Sequence, residues 1–464
     1  MRHIPLYLRQ LGVQTHPALK AAIEQWNDAR YGVEEFSDNP LKCKQYKQKE
    51  NAVLKEIQTL IQKNADVQGT VLEAVRAKIR DFQYLPESIP FEIFQNADDA
   101  VVELERIRSY PEEPQATDSS LLPPFTKRFV LHKTPQKLLF MHWGRPINHT
   151  GSGGFPGREY GYQQDLEKML VFSSSDKQSR THVTGKFGLG FKSVFLACES
   201  PHVVSGRLAF SIVAGLYPQK LADATGLRKI LRDKTPDERL PGTLIHLSLD
   251  LSGLEKMCDQ FTHRAGFLAV FAKQIRKLEI SISDRSNFTA EWVPHVIDED
   301  PEVRIETGTL LLDYTPHTES THAIHLRFNG GGGLLLATGP RGCRPLPSGI
   351  SSFWVITPTQ EDSGIGFAIN GNFEVDAGRA RLSGNQDMIR GESKRLGRCL
   401  AHGLTLMFDY AANNWHGFTK QLNMEIGLQP YDFWLSIWET LSSSWINRAE
   451  DNSVQILRDM MTAE

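Results

Sequence analysis

The sequence predicts an α+β protein of at least two domains, and three observations carry that expectation. Helical periodicity fills the first stretch of the chain and returns at its end. Strand-like apolar runs appear in two separate blocks between those ends, each mixed with helix, which is the pattern of layered α/β units. The 464 residues are enough for about three average domains.

Residues 1–90 read as mostly helical. From Asn51 to Phe82 the apolar residues Val53, Leu54, Ile57, Leu60, Ile61, Val71, Leu72, Val75 and Ile79 recur at three- and four-residue spacing, which predicts one continuous helical face. Pro86 and Pro90 interrupt it. A second helix begins near Phe91 and runs to about Arg108, and the proline-rich stretch Tyr110 to Pro124 reads as a surface loop. Phe129–His132 and Lys137–Met141 form a strand pair turned at Thr134-Pro135-Gln136. Residues 148–160 are glycine-rich loop, Gln163 to Phe172 a short helix, 173–192 again Ser, Lys and Gly, and Ser193 to Ala197 helical. Strands follow at His202–Ser205, Leu208–Val213 and Thr243–Leu249.

Residues 262–279 predict an amphipathic helix whose last turn carries Lys273, Arg276 and Lys277, complementing the negative helix end. Residues 278–382 are strand-rich. Within them His322–Phe328 and Leu334–Ala337 flank Asn329 and the glycines 330–333, and this run reads as a hairpin turn because no helix pattern follows it. From Asn385 onward the pattern is helical. Trp415, Trp434, Trp438 and Trp445, with Phe433 and Leu435, predict a helical core of which an exposed portion would dock a partner or a longer continuation of the protein. No internal repeat is present.

Composition narrows the function classes. Hydrophobic residues make up 40% and charged residues 23%, and 52 basic against 55 acidic side chains leave a net charge of −3. Such a chain has no overall basic footprint, so nucleic-acid binding gains no support from charge. No run reaches the ~18 apolar residues of a membrane span, and no secretory signal is expected at the N-terminus. Five scattered cysteines without a CxxC pair support neither zinc nor a disulfide framework. His142, His149, His182 and His202 lack metal-ligand spacing. A cytoplasmic protein is expected.

Four segments carry chemistry. In Phe91-Glu-Ile-Phe-Gln-Asn-Ala-Asp-Asp-Ala100, a helix would place Glu92, Asn96 and Asp99 at i, i+4 and i+7 on one stripe. Two acids and an amide on one face suit a hard divalent cation and a water, with Glu92 as general base; a solvated helix face is the other reading. In Thr184-Gly-Lys-Phe-Gly-Leu-Gly-Phe-Lys-Ser193, glycines at 185, 188 and 190 free backbone amides to approach an anion before an apolar helix start. Phe191 stands where a Walker A loop needs lysine, and Ser193 where a dinucleotide fingerprint needs glycine. The remaining two are Leu138-Leu-Phe-Met-His-Trp-Gly-Arg-Pro-Ile147, a strand entering a glycine turn, and Pro241-Gly-Thr-Leu-Ile-His-Leu-Ser-Leu249, a turn feeding a strand that starts at the Thr243 hydroxyl.

In this order the four segments resemble the GHKL superfamily of gyrase, ninety-kilodalton heat-shock chaperones, histidine kinases and MutL, and within it the sacsin-type chaperone-like branch. The resemblance implies a Bergerat two-layer α/β sandwich with a mixed sheet over 69–252. An N-terminal helical extension (1–68) would precede it, and a transducer-like α/β domain (253–384) and C-terminal helices (385–464) would follow. It implies ATP and Mg²⁺ as ligands, Glu92 as the water-activating base, Asn96 as the Mg²⁺ ligand and Asp99 in support. Gly144 would let the backbone approach adenine, and Thr243 would bond it directly or through water. Gly185, Lys186, Phe187, Gly188, Leu189 and Gly190 would wrap the phosphates at the end of a lid spanning about 145–190. Ser173–Gln178 either touch phosphates or form a solvated loop. Arg379 and Arg381 either reach the γ-phosphate or sit on a surface turn. His142 stands where the superfamily holds the adenine amino group with aspartate, and a neutral imidazole can still accept one hydrogen bond.

The activity so implied is slow ATP hydrolysis by a chaperone-like conformational switch, with a protein partner or client, an ATP-dependent homodimer and a place in a larger, defence-related system. A nucleotide-sensing scaffold with little turnover and a MutL- or topoisomerase-like DNA-metabolism ATPase are the alternatives.

Overall fold

The structure is a computed structural model that describes residues 4–13, 16–110, 122–151, 154–170, 190–235, 240, 242–249, 254, 256–283, 285, 287–314, 317–347, 349–359, 365–376, 382–383, 386–446 and 452–461. The architecture is α+β, helices with mixed sheets. The chain divides into two compact units: 1–126, 130–255 and 282–284 form the first, and 127–129, 256–281 and 285–464 the second. No helix among the described residues is long and apolar enough to cross a membrane.

The first unit opens with helices α1 (Ile4–Gln10), α2 (Pro17–Glu35), α3 (Pro40–Lys63) and α4 (Ala65–Asp81). The expected single helix over 51–82 is two. Asn64 takes an extended backbone (φ −104°, ψ 107°), ending α3, and its side chain caps α4 by accepting the amides of Asp66 and Val67. The apolar face survives the break, because Val53, Leu54, Ile57, Ile61, Val71, Leu72, Val75 and Ile79 are all buried. After Pro86–Ser88, a 3₁₀ turn, helix α5 (Ile89–Arg108) has Pro90 within its first turn, where its missing N–H costs nothing.

Strands β1 (Arg128–Lys133) and β2 (Lys137–His142) form the expected hairpin, closed by Thr134 N–H to Lys137 O at 2.8 Å. A 3₁₀ turn (Tyr162–Gln164) leads into α6 (Asp165–Leu170), and a second 3₁₀ segment covers Phe191–Leu196. Then come β3 (His202–Ser205), β4 (Leu208–Val213), β5 (Tyr217–Lys220), α7 (Thr225–Asp233) and β6 (Thr243–Ser248). In this unit the strand order is β5-β4-β3-β6-β2-β1. Both β2 and β3 pair antiparallel with β6, so residues far apart in sequence meet on single rungs. One face buries Val130, Leu139, Met141, Trp143, Val204 and Leu244 together with Leu231 of α7.

In the second unit the helix expected over 262–279 is replaced. Helices α8 (Asp259–His263) and α9 (Ala265–Phe271) are followed by strand β7 (Lys277–Ile282). Every residue of α9 is buried, so the segment is a core helix with no polar face to extend. The basic residues do not continue the helix. Arg276 folds back and donates to the carbonyls of Ala269 (3.3 Å), Ala272 (2.6 Å) and Ile275 (3.1 Å), neutralising the helix end from outside it.

Strands β8 (Phe288–Glu291), β9 (His295–Glu299), β10 (Val303–Tyr314), β11 (His317–Phe328), β12 (Gly333–Gly339), β13 (Gly342–Arg344), β14 (Phe353–Val355), β15 (Thr357–Pro358) and β16 (Ala368–Asn370) complete the β content. The order β15-β14-β16-β12-β11-β10-β9 is antiparallel except at the parallel pair β14–β16. The glycine run is a hairpin turn, with β11 and β12 antiparallel on either side of it. Helices α10 (Gln386–Asn413), α11 (Trp415–Gln421), α12 (Pro430–Ile446) and α13 (Asn452–Met461) share one core with this sheet: Ile305, Leu326 and Leu336 pack with Leu400, Met407, Phe418 and Phe433. Trp415 and Trp434 pack against that core, whereas Trp438 is 56% exposed and Leu435 is also exposed. The side chain of Trp445 lies outside what is described.

Candidate functional site

The four chemistry-bearing segments all belong to the first unit. Glu92 sits in the first turn of α5, where the helix dipole favours its charge, and it is 4% exposed. Its carboxylate lies against the backbone of Gly190: an ideal Cβ built there would come within 2.2 Å of Glu92 Oε2. The structure therefore brings the helix acid and the last glycine of the glycine-rich segment together. Gly185, Lys186, Phe187, Gly188 and Leu189, and the Ser173–Gln178 run, lie outside the described residues, as do Arg379 and Arg381.

The stripe of α5 is not uniform. Glu92 is buried, Asn96 exposed and Asp99 half-buried. The inward polar ridge instead runs through Glu92, Gln95 (3% exposed) and Asp98 (0%). Gln95 and Asp98 were not singled out by the sequence, because a 3.6-residue period leaves three- and four-residue steps equally good until neighbouring elements fix the helix rotation.

The β2 strand ends at His142 and the chain then turns directly onto α5. A Cβ at Gly144 would strike the Ala100 carbonyl carbon at 2.6 Å and the Val101 nitrogen at 2.7 Å, and Arg145 N–H donates to Ala100 O at 2.8 Å. Only glycine permits this approach. The Arg145 guanidinium, itself buried, pairs with Glu103 of α5 (2.7 Å) and Asp165 of α6 (2.8 Å), donates to His149 O (2.9 Å) and stacks 3.9 Å from the centroid of the Tyr162 ring. One side chain thus ties α5, the turn and α6 together. Asp165 also accepts the amide of Asn148, whose side chain in turn accepts the amide of Leu166.

Antiparallel register places His142 opposite Thr243 and Thr243 opposite Ser205. Alternation along β2 puts this rung on the face away from the Met141 and Trp143 cluster. All three are buried. Ser205 Oγ lies 2.7 Å from Thr243 Oγ1 and accepts the amide of Ile147 at 2.9 Å. The His142 ring accepts the Gly144 amide through Nδ1 at 3.3 Å, and burial pushes its pKa down to about 4. Ser205 had no sequence signal beyond a polar residue ending an apolar strand.

Lys192, two residues beyond Gly190, has no exposed surface. Its ammonium donates to Leu170 O at the end of α6 and lies 5.8 Å from the centroid of the Tyr7 ring, and burial pushes its pKa down to about 7. The segment that carries it is anchored by Arg76 of α4, whose Nε donates to Phe195 O at 2.8 Å. A charged residue inside the apolar run Phe191–Leu196 was the available signal for it.

The chain matches no protein-family model, and no curated protein matches it.

Proposed function

We propose that this chain binds a purine nucleoside triphosphate together with Mg²⁺ and hydrolyses it slowly, in the manner of the GHKL ATPases that its motifs resemble. The observation that supports this most is the contact between the Glu92 carboxylate and the Gly190 backbone. It puts a candidate general base beside Gly190, the last glycine of the sequence run whose composition suits phosphate. Gly144 packed against α5, and the buried polar rung His142–Thr243–Ser205, lie within the same unit.

The donor set fits a hard cation that arrives with its triphosphate. Asn96 offers an exposed amide oxygen and Asp99 a half-buried carboxylate one turn away. Among the described residues no group of three or more His, Cys, Asp or Glu side chains could cage a metal alone. Bound Mg²⁺ supplies neutralisation of phosphate charge. Glu92 would accept a proton from water as its oxygen bonds the γ-phosphorus and the bond to the β-phosphate oxygen breaks. The energy released would reset the arrangement of a chaperone-like switch acting on a protein partner.

The test is a thermal melt of the full chain with Mg²⁺ and each purine nucleoside triphosphate, followed by phosphate release. Saturating ligand at about 100 Kd should stabilise the chain by about 2.7 kcal/mol. Glu92→Ala should cut phosphate release by about 10²–10⁴-fold while nucleotide still binds. Unchanged release from that variant would remove the hydrolytic reading.

A further inference from the structure

We propose that the rung His142–Thr243–Ser205 selects bases that present a carbonyl oxygen, so that 6-oxopurine nucleotides, those of guanine and hypoxanthine, bind in preference to adenine nucleotides. The inference rests on the nucleotide reading of this site.

The polarity of the rung depends on which imidazole nitrogen of His142 carries the proton. Nδ1 of His142 accepts the Gly144 amide, so that nitrogen holds a lone pair and no hydrogen. The ring is 7% exposed and burial keeps it neutral at pH 7. Its single proton therefore sits on Nε2, which can only donate. The Gly144 amide is the hydrogen-bond partner of this ring among the described residues, which leaves Nε2–H for a ligand.

The neighbouring hydroxyls complete the pattern. Ser205 and Thr243 bond each other, using one of their two hydrogens, and Ser205 also accepts the Ile147 amide. Thr243 keeps a lone pair, and no carboxylate stands on the rung. A 6-oxopurine presents O6 as an acceptor and N1–H as a donor, side by side. Nε2–H meets the first and a rotating hydroxyl the second. Adenine presents the opposite polarity at these two atoms: its 6-amino group would set N–H against N–H in a buried place, and its N1 has no hydrogen to give. A buried donor left facing a donor is costly enough to weaken binding by about tenfold or more.

Isothermal titration of the full chain with ATP, ITP and GTP at saturating Mg²⁺ tests this. ITP is the informative probe, because it differs from ATP only at C6 and N1. ITP and GTP should bind about tenfold or more tightly than ATP. His142→Asp should reverse the order: one carboxylate oxygen can keep the Gly144 amide while the other becomes an acceptor. ATP binding as tightly as ITP to the unsubstituted chain overturns the proposal and leaves the nucleotide reading standing. Binding of none of the three overturns both. The order in the unsubstituted chain decides the matter even where His142→Asp folds poorly.

Discussion

Gly190 and Glu92 occupy one another's space: a Cβ on the glycine would lie 2.2 Å from the carboxylate oxygen Oε2. At Gly144, by contrast, a Cβ would meet helix backbone, the Ala100 carbonyl carbon and the Val101 nitrogen. The two glycines therefore fail differently when substituted.

Gly190→Ala pushes on the far end of a flexible side chain, which can swing away. If Glu92 is the base proposed above, the expected result is a small change in melting temperature with phosphate release lowered by about 10²-fold. Gly144→Ala pushes on backbone that cannot yield, and should cost about 1–3 kcal/mol. Parallel melts and turnover assays check both; a Gly144→Ala chain as stable as the parent would refute the second.

Arg145→Met leaves Glu103 and Asp165 facing each other without their shared cation. The loss should be about 2–3 kcal/mol, below the usual figure for fully buried pairs because both acids keep some solvent. Burial already raises the Glu103 pKa, with Asp165 and Asp99 adding to it and Arg145 opposing. Removing Arg145 raises it further. A carboxyl whose folded pKa lies above its unfolded value costs stability as pH climbs past the unfolded value. The deficit of Arg145→Met should therefore be largest near pH 7 and shrink in acid, as read by chemical denaturation across pH 4–7.

Glu306 of β10 is buried beside His325 (3.3 Å) and Arg304 (2.9 Å). Burial alone would raise its pKa, but the hydrogen bond from His325 and the charges of Arg327 and Arg276 outweigh it and hold the group at about 2; His325 itself is pushed toward its neutral form by burial. A carboxyl so lowered stabilises the fold above its unfolded pKa and loses that contribution as pH falls from about 4.5 to about 2. Glu306→Gln should therefore cost about 1.5–3 kcal/mol at pH 7, the usual range for a hydrogen bond to a charged group. The difference from the parent should vanish near pH 2. A constant difference across that window would count against the assignment.

Lys192 carries the opposite sign. Its folded pKa of about 7 lies below the unfolded 10.5, so between those values the unfolded chain holds a proton that the folded chain has released. Stability should rise with pH there, by at most about 1.4 kcal/mol per pH unit. Lys192→Met should lack that rise. Denaturant midpoints at pH 7, 8 and 9 for both chains give the comparison.

Five strands of the first unit were legible because each is a short apolar run bounded by turn residues, as in His202–Ser205 and Thr243–Ser248; β5, Tyr217–Lys220, was not, being polar and carrying Pro218. Two helices depart from their sequence pattern for physical reasons. Periodicity continued through Asn64 although the backbone did not, because apolar spacing reports a shared face and not chain continuity. The basic residues after Phe271 looked like a final helical turn, yet Arg276 reaches the same carbonyls from beyond the helix. At the site, the need for glycine at 144 was legible, but the close approach it permits here is to the α5 backbone. The tautomer of His142 was not legible, since it depends on the Gly144 amide reaching back to Nδ1. Nor was Ser205, which joins the rung only through strand pairing.

That rung is assembled from positions 142, 205 and 243, which share nothing but register. Side chains alternate faces along a strand, so a one-residue slip of β6 would turn the Thr243 hydroxyl to the opposite side and take Leu244 out of the apolar cluster with it. Length changes near Thr243 should therefore be far less tolerated than point substitutions among the neighbouring aliphatic residues. A deletion scan across 240–249, scored separately for folding and for nucleotide binding, should show folding itself impaired.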